Sequence, residues 1–238
     1  VRRCLPLFLL PVLILGLACP SSAGFLDNLL GQITGSGGPD EETMVAGLKE
    51  ALRIGTKNAV SSVSVRDGYF RNLDIRIPVP EKLDKAESLL RKMGMGERVD
   101  EFILGMNRAA ETAAPQAADI FTEAIRQMTI NDAVAIVKDG ETAATDYFRI
   151  KTSDRLSALF RPVIQDSLAR VGAVNSYKRV VGAYNAIPLV EDVGIDLEGY
   201  VTEEALGGLF FMVGEEEKNI RQDPAARVTE LLREVFGK

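Results

Sequence analysis

The chain has 238 residues, 46% of them hydrophobic, with no histidine, two cysteines and a formal net charge of −6. Without an imidazole there is no serine–histidine triad, no histidine–zinc site and no histidine haem ligand. The acidic balance argues against nucleic acid, whose phosphates call for a net basic face, and the length suits one large domain or two small ones.

Residues 1–23 read as a signal peptide. Arg2 and Arg3 give a positive start, Leu5 to Ala18 form an apolar run, and Ser21-Ser22-Ala23 offers small residues for cleavage before Gly24. The run is shorter than the roughly 20 residues of a membrane-spanning helix, and no later stretch is long enough, so no transmembrane segment is expected in the mature chain. The alternative is lipid attachment at Cys19 within Gly16-Leu17-Ala18-Cys19-Pro20, which would anchor the protein to an envelope membrane. Both readings make the protein exported, and the first makes it periplasmic. Both cysteines, Cys4 and Cys19, lie in this segment, so a chain cleaved after Ala23 has no thiol nucleophile, thiolate metal site or disulfide.

Residues 24–39 read as a flexible Gly-rich tether, with Gly31, Gly35, Gly37, Gly38 and Pro39 breaking regular structure. From residue 40 to 238 the pattern is one helical domain. Val45, Leu48, Leu52 and Ile54 mark a first helix reaching Ser62 or Val63. Leu73, Ile75, Ile77 and Val79 then alternate with Asp74, Arg76 and Pro78. Period two predicts an extended arm near residues 63–80 or a marginal edge strand paired with Val63–Val65, since Pro78 and Pro80 cannot donate ladder bonds.

Helices are expected around Leu83–Leu90, Val99–Ala113 (closed near Pro115) and Ile120–Ile125. Thr129 with Asp132 has the spacing of a capping box. Thr152 or Ser153 is expected to cap a longer helix bent at Pro162. Val174–Ile187 reads less clearly as helix. Thr202 is expected to open a helix through Ile220, and Asp223-Pro224 to start a last one carrying Val228, Leu231, Leu232, Val235 and Phe236. The fold class is therefore all-α, a multi-helix, bundle-like domain with one short extended arm.

Five stretches carry a resemblance. They are Asp67-Gly68-Tyr69-Phe70, Ile75-Arg76-Ile77-Pro78-Val79-Pro80, Met106-Asn107-Arg108-Ala109-Ala110-Glu111, Ala144-Thr145-Asp146-Tyr147-Phe148-Arg149, and the run from Glu215 to Arg227. Over residues 40–237 the chain resembles domain-of-unknown-function family 4197. The resemblance implies an exported protein of Gram-negative bacteria and carries no activity, substrate or catalytic residues.

The residues themselves offer several site candidates. Asn107 falls at the border of the apolar face of the 99–113 helix, with Glu111 one turn on and Arg108 nearly opposite the core; Asn107 and Glu111 could share a hydrogen bond that fixes packing, or face a ligand. Tyr147 and Arg149, with Tyr69 near the arm, could hold an acidic or apolar ligand or be simply packed. Glu216 and Arg221 lie in a charge run where Glu217 and Arg221 are spaced i,i+4, the spacing of a salt-bridged face. Gly207 and Gly208 each cost about 1 kcal/mol in a helix, which a close helix crossing would justify. Asp192, Asp196, Glu198 and Glu203 span a calcium-loop window, but Leu197 and Gly194 stand where that loop needs a glycine and a ligand. No catalytic residue, metal or cofactor is assigned.

The leading expectation is a non-enzymatic envelope module that binds an envelope protein or a small apolar ligand. One alternative is a histidine-free hydrolase or lyase, which needs at least two of Glu111, Glu123, Asp146 and Glu216 in one cleft. The other is a structural or assembly factor without a small ligand.

Overall fold

A computed structural model describes residues 41–186 and 194–222. The signal segment with Cys19, the tether, Asp192 and the expected last helix lie outside the described residues. The regular elements among the described residues are all helices, with no strand among them. We number the helices α1 (Glu41–Val63), α2 (Asp84–Lys92), α3 (Gly96–Ala113), α4 (Ala117–Gln127), α5 (Ile130–Lys138), α6 (Ala143–Arg170), α7 (Ala173–Asn185) and α8 (Leu197–Gln222). Short 3-10 turns at Glu81–Leu83 and Ala114–Gln116 lead into α2 and α4.

The two long helices α6 and α8 pack along each other. α1 lies on α8, α4 and α5, while α3 lies on α6, α7 and α8. Their apolar stripes meet in one core, in which the Phe121 ring sits 5.1 Å from Phe148 and 6.2 Å from Phe210. α4, α6 and α8 are thus locked through aromatic edges, a geometry that adds to plain area burial.

The α5 capping box forms as its spacing predicts: Asp132 N–H donates to Thr129 Oγ1, and Thr129 N–H donates to the Asp132 carboxylate. Two other helix starts differ from expectation. α6 begins at Ala143, not near Thr152, and Thr152 and Ser153 instead donate to the carbonyls of Phe148 and Arg149 inside the helix. Its first amides are satisfied from far along the chain: Ala144 and Thr145 N–H and the Thr145 hydroxyl all donate to the Glu217 carboxylate at 2.8–3.0 Å. Pro162 lies within the helix. α8 begins at Leu197, before Thr202, and Asp196 accepts from Gly199 N–H in the manner of an N-cap. That carboxylate also pairs with Arg161, so it has structural employment rather than a role in a calcium loop.

The arm from Ser64 to Pro80 is a long irregular segment among the described residues. Ile75, Ile77 and Val79 are buried as their alternation predicts, whereas Leu73 is 84% exposed. The expected pairing with Val63–Val65 does not form. α1 runs to Val63, Val65 faces solvent, and turns follow. Two prolines remove ladder donors, and the backbone groups of Ile77 are claimed by a side chain of α3.

Candidate ligand groove

The arm is held by the polar face of α3. Asn107 is fully buried; its Oδ1 accepts from Ile77 N–H and its Nδ2 donates to Ile77 O, both at 2.9 Å, with a further bond to Ile103 O. The carboxamide thereby stands in for a neighbouring strand. One turn on, Glu111 Oε1 accepts from the amides of Tyr69 and Phe70, and Glu111 Oε2 pairs with Arg108 at 2.6 Å. Asn107 and Glu111 do not bond each other; each holds a different part of the arm.

Arg108 does not point away from the core as its position on the helix suggests. Its long stem lets the guanidinium fold back onto Glu111 and Asp67, leaving the side chain 19% exposed. The pairing holds the Asp67 carboxyl below its ordinary range and fixes a residue at φ 70°, a left-handed conformation that non-glycine residues disfavour. Next to it, a Cβ on Gly68 would lie 2.6 Å from the Ser62 carbonyl oxygen, so position 68 must be glycine for the turn to fit against the end of α1. Tyr69 is buried, and its hydroxyl donates to Ala205 O on α8 at 2.7 Å. Burial and the Glu111 charge push its ionisation up, so Tyr69 is a fixed strut rather than an acid.

Pinned in this way, the arm forms one wall of a groove of about 590 Å³ whose other walls are α6 and α8. Five charged side chains line it: Asp74 and Arg76 from the arm, Arg149 from α6, and Glu203 and Glu204 from α8. None of the five makes an ion pair with a described residue, although eleven ion pairs form elsewhere among them. The two guanidiniums lie instead over aromatic faces, Arg76 4.5 Å from the Phe70 centroid and Arg149 4.8 Å from that of Phe210. Partial burial, with repulsion from Glu203, raises the Glu204 carboxyl above its ordinary 4.5.

The paired glycines answer to different neighbours. A Cβ on Gly208 would lie 2.8 Å from Tyr69 Cε1 and 3.0 Å from Ile75 Cβ, whereas one on Gly207 would meet nothing within 4 Å. The close approach is therefore made by the arm and not by a crossing helix, and Gly207 opens onto the groove. Gly208→Ala is expected to destabilise the protein by about 1–2 kcal/mol, overpacking outweighing the gain in helix propensity; Gly207→Ala is expected to stabilise it by up to about 1 kcal/mol. Urea melts of the two variants check this pair of opposite signs.

A family model described as a protein of unknown function (DUF4197) matches residues 38–237. The chain belongs to this family. Neither the curated proteins nor the solved structures contain a match. The family stretches picked out in the sequence fall on the arm turn, the extended arm, α3, the start of α6 and the end of α8, the last of them as far as Gln222, with its remainder outside the described residues.

The remaining residues singled out from sequence go to separate places. Tyr147 is half-buried, and its hydroxyl donates to Ala124 O on α4. Glu216 accepts from Asn58 on α1. Arg221 donates to Ile136 O and pairs with Glu217 at 2.9 Å, tying the ends of α5 and α8 to the start of α6. Of the four carboxylates from which a hydrolase or lyase would need at least two in one cleft, Glu111 holds the arm, Glu123 pairs with Arg155, Glu216 meets Asn58, and none of the four lines the groove. No group of three metal-ligating side chains comes together among the described residues, and no helix there is long and apolar enough to cross a membrane. Sequence reasoning selected Arg149 but missed Arg76, Glu204 and the capping role of Glu217. Arg76 could have been found as the charged position alternating with buried Ile75 and Ile77.

Proposed function

We propose that this chain is a non-enzymatic binding module, exported and acting in the bacterial envelope, whose partner is held in the groove between the arm, α6 and α8. One observation carries the reading: charges of both signs line a single groove and leave each other unpaired, against a wall that α3 fixes in place. A preorganised polar surface of this kind lowers the ordering cost of binding. The positive start and apolar run at residues 2–18 support export.

The chemistry of the groove favours a polar partner over a small apolar ligand. The gap bounded by Leu48, Ala51, Leu52, Ala144, Ile220 and the Glu217–Arg221 pair amounts to about 20 Å³, on the scale of a single water.

Native mass spectrometry of the protein purified gently from its source, beside Arg149→Glu, tests the reading. The expected result is a bound species on the wild type that is lost on denaturation and absent from the folded variant. A bare wild type, or a species retained by the variant, would contradict it.

A further inference from the structure

The spacing of charge along the groove defines what fits it. Glu203, Gly207 and Phe210 fall at i, i+4 and i+7 on α8, so they share one face. At 1.5 Å per residue, Glu203 and Phe210 are about 10 Å apart along the axis. Arg149 lies over the Phe210 ring, and Glu204 adjoins Glu203. An anion-seeking end and a cation-seeking end are thus separated by two helical turns, with Gly207 between them presenting bare backbone.

On the groove reading above, we infer that the occupant is a short zwitterionic peptide, its terminal carboxylate at Arg149 and its terminal ammonium at Glu203 and Glu204. Three extended residues span about 10 Å, the distance between the two charged ends. Over Gly207 no Cβ intrudes, so a peptide backbone can lie close against the helix. Phe211, 41% exposed and lining the groove, offers an apolar surface to a peptide side chain. A guanidinium already stacked on an aromatic ring loses little freedom when it takes a carboxylate. The crowded Glu203–Glu204 pair gains from an arriving ammonium, because the cation offsets the burial and the Glu203 repulsion that together hold the Glu204 carboxyl up.

Three probes of one length separate these contributions: the tripeptide Ala-Phe-Ala, its N-acetyl form and its C-terminal amide. Titration calorimetry on the purified protein is expected to show binding of the free tripeptide, weakened about tenfold or more by either modification, since each removes a charge-assisted contact. In Arg149→Gln the amide and the free peptide should bind alike. In Glu203→Gln/Glu204→Gln the acetylated and the free peptide should bind alike. Those residues make no ion pair with a described residue, and circular dichroism is expected to find both variants folded. Equal affinity for all three probes, or no binding of the free tripeptide at millimolar concentration, overturns the peptide assignment. A native bound species lost in Arg149→Glu alongside such a failure would keep the groove and remove only this ligand class.

Discussion

Glu217→Ala is expected to destabilise the protein by about 3–5 kcal/mol, because it takes the acceptor from three donors at the start of α6, each stranded group costing about 1–3 kcal/mol. The carboxylate is 5% exposed and does two jobs at once. It accepts three hydrogen bonds from the first turn of α6, whose Ala144 and Thr145 amides then lose their acceptor. It also balances Arg221, which reaches on to the last turn of α5. Arg221→Ala leaves the three donors on Glu217 in place and is expected to cost less, about 1–2 kcal/mol. Urea denaturation of the two variants gives the comparison. A loss below about 1 kcal/mol in Glu217→Ala would mean that α6 starts without this cap.

Asn107→Ala should be the next most damaging change, at about 2–4 kcal/mol. Ile77 is fully buried, and the substitution leaves both its N–H and its C=O without the carboxamide that satisfies them; each stranded group costs about 1–3 kcal/mol. Asn107→Leu, which restores bulk but no polar atoms, should recover little, because the loss lies in hydrogen bonding and not in volume. Substantial rescue by leucine in thermal melts would refute that assignment.

What could be read in the sequence follows from how local each cause is. The α5 start was legible because both members of its capping box sit three residues apart. The α6 start was not, because its cap arrives from Glu217, 72 residues from Thr145. Asn107 could be placed at the edge of an apolar face from its spacing, yet its partner Ile77 lies 30 residues away and became visible only in the fold. Arg108 was misplaced because helical angle fixes a Cβ direction and not the reach of a long side chain. The cost of Gly207 and Gly208 was plain from composition, but only the packed arm shows that Gly208 accommodates Tyr69 and Ile75 while Gly207 faces the groove. The groove itself joins residues from three distant segments, so no motif announces it.

All of this depends on the arm being a fixed wall although it has no helix or strand. Amide hydrogen exchange followed by nuclear magnetic resonance tests that claim directly. The amides of Tyr69, Phe70 and Ile77, held by Glu111 and Asn107, are expected to exchange as slowly as core helix amides, while the neighbouring exposed Leu73 exchanges quickly. Uniformly fast exchange across Tyr69 to Ile77 would show an arm that is not pinned, and would contradict the groove it is held to form.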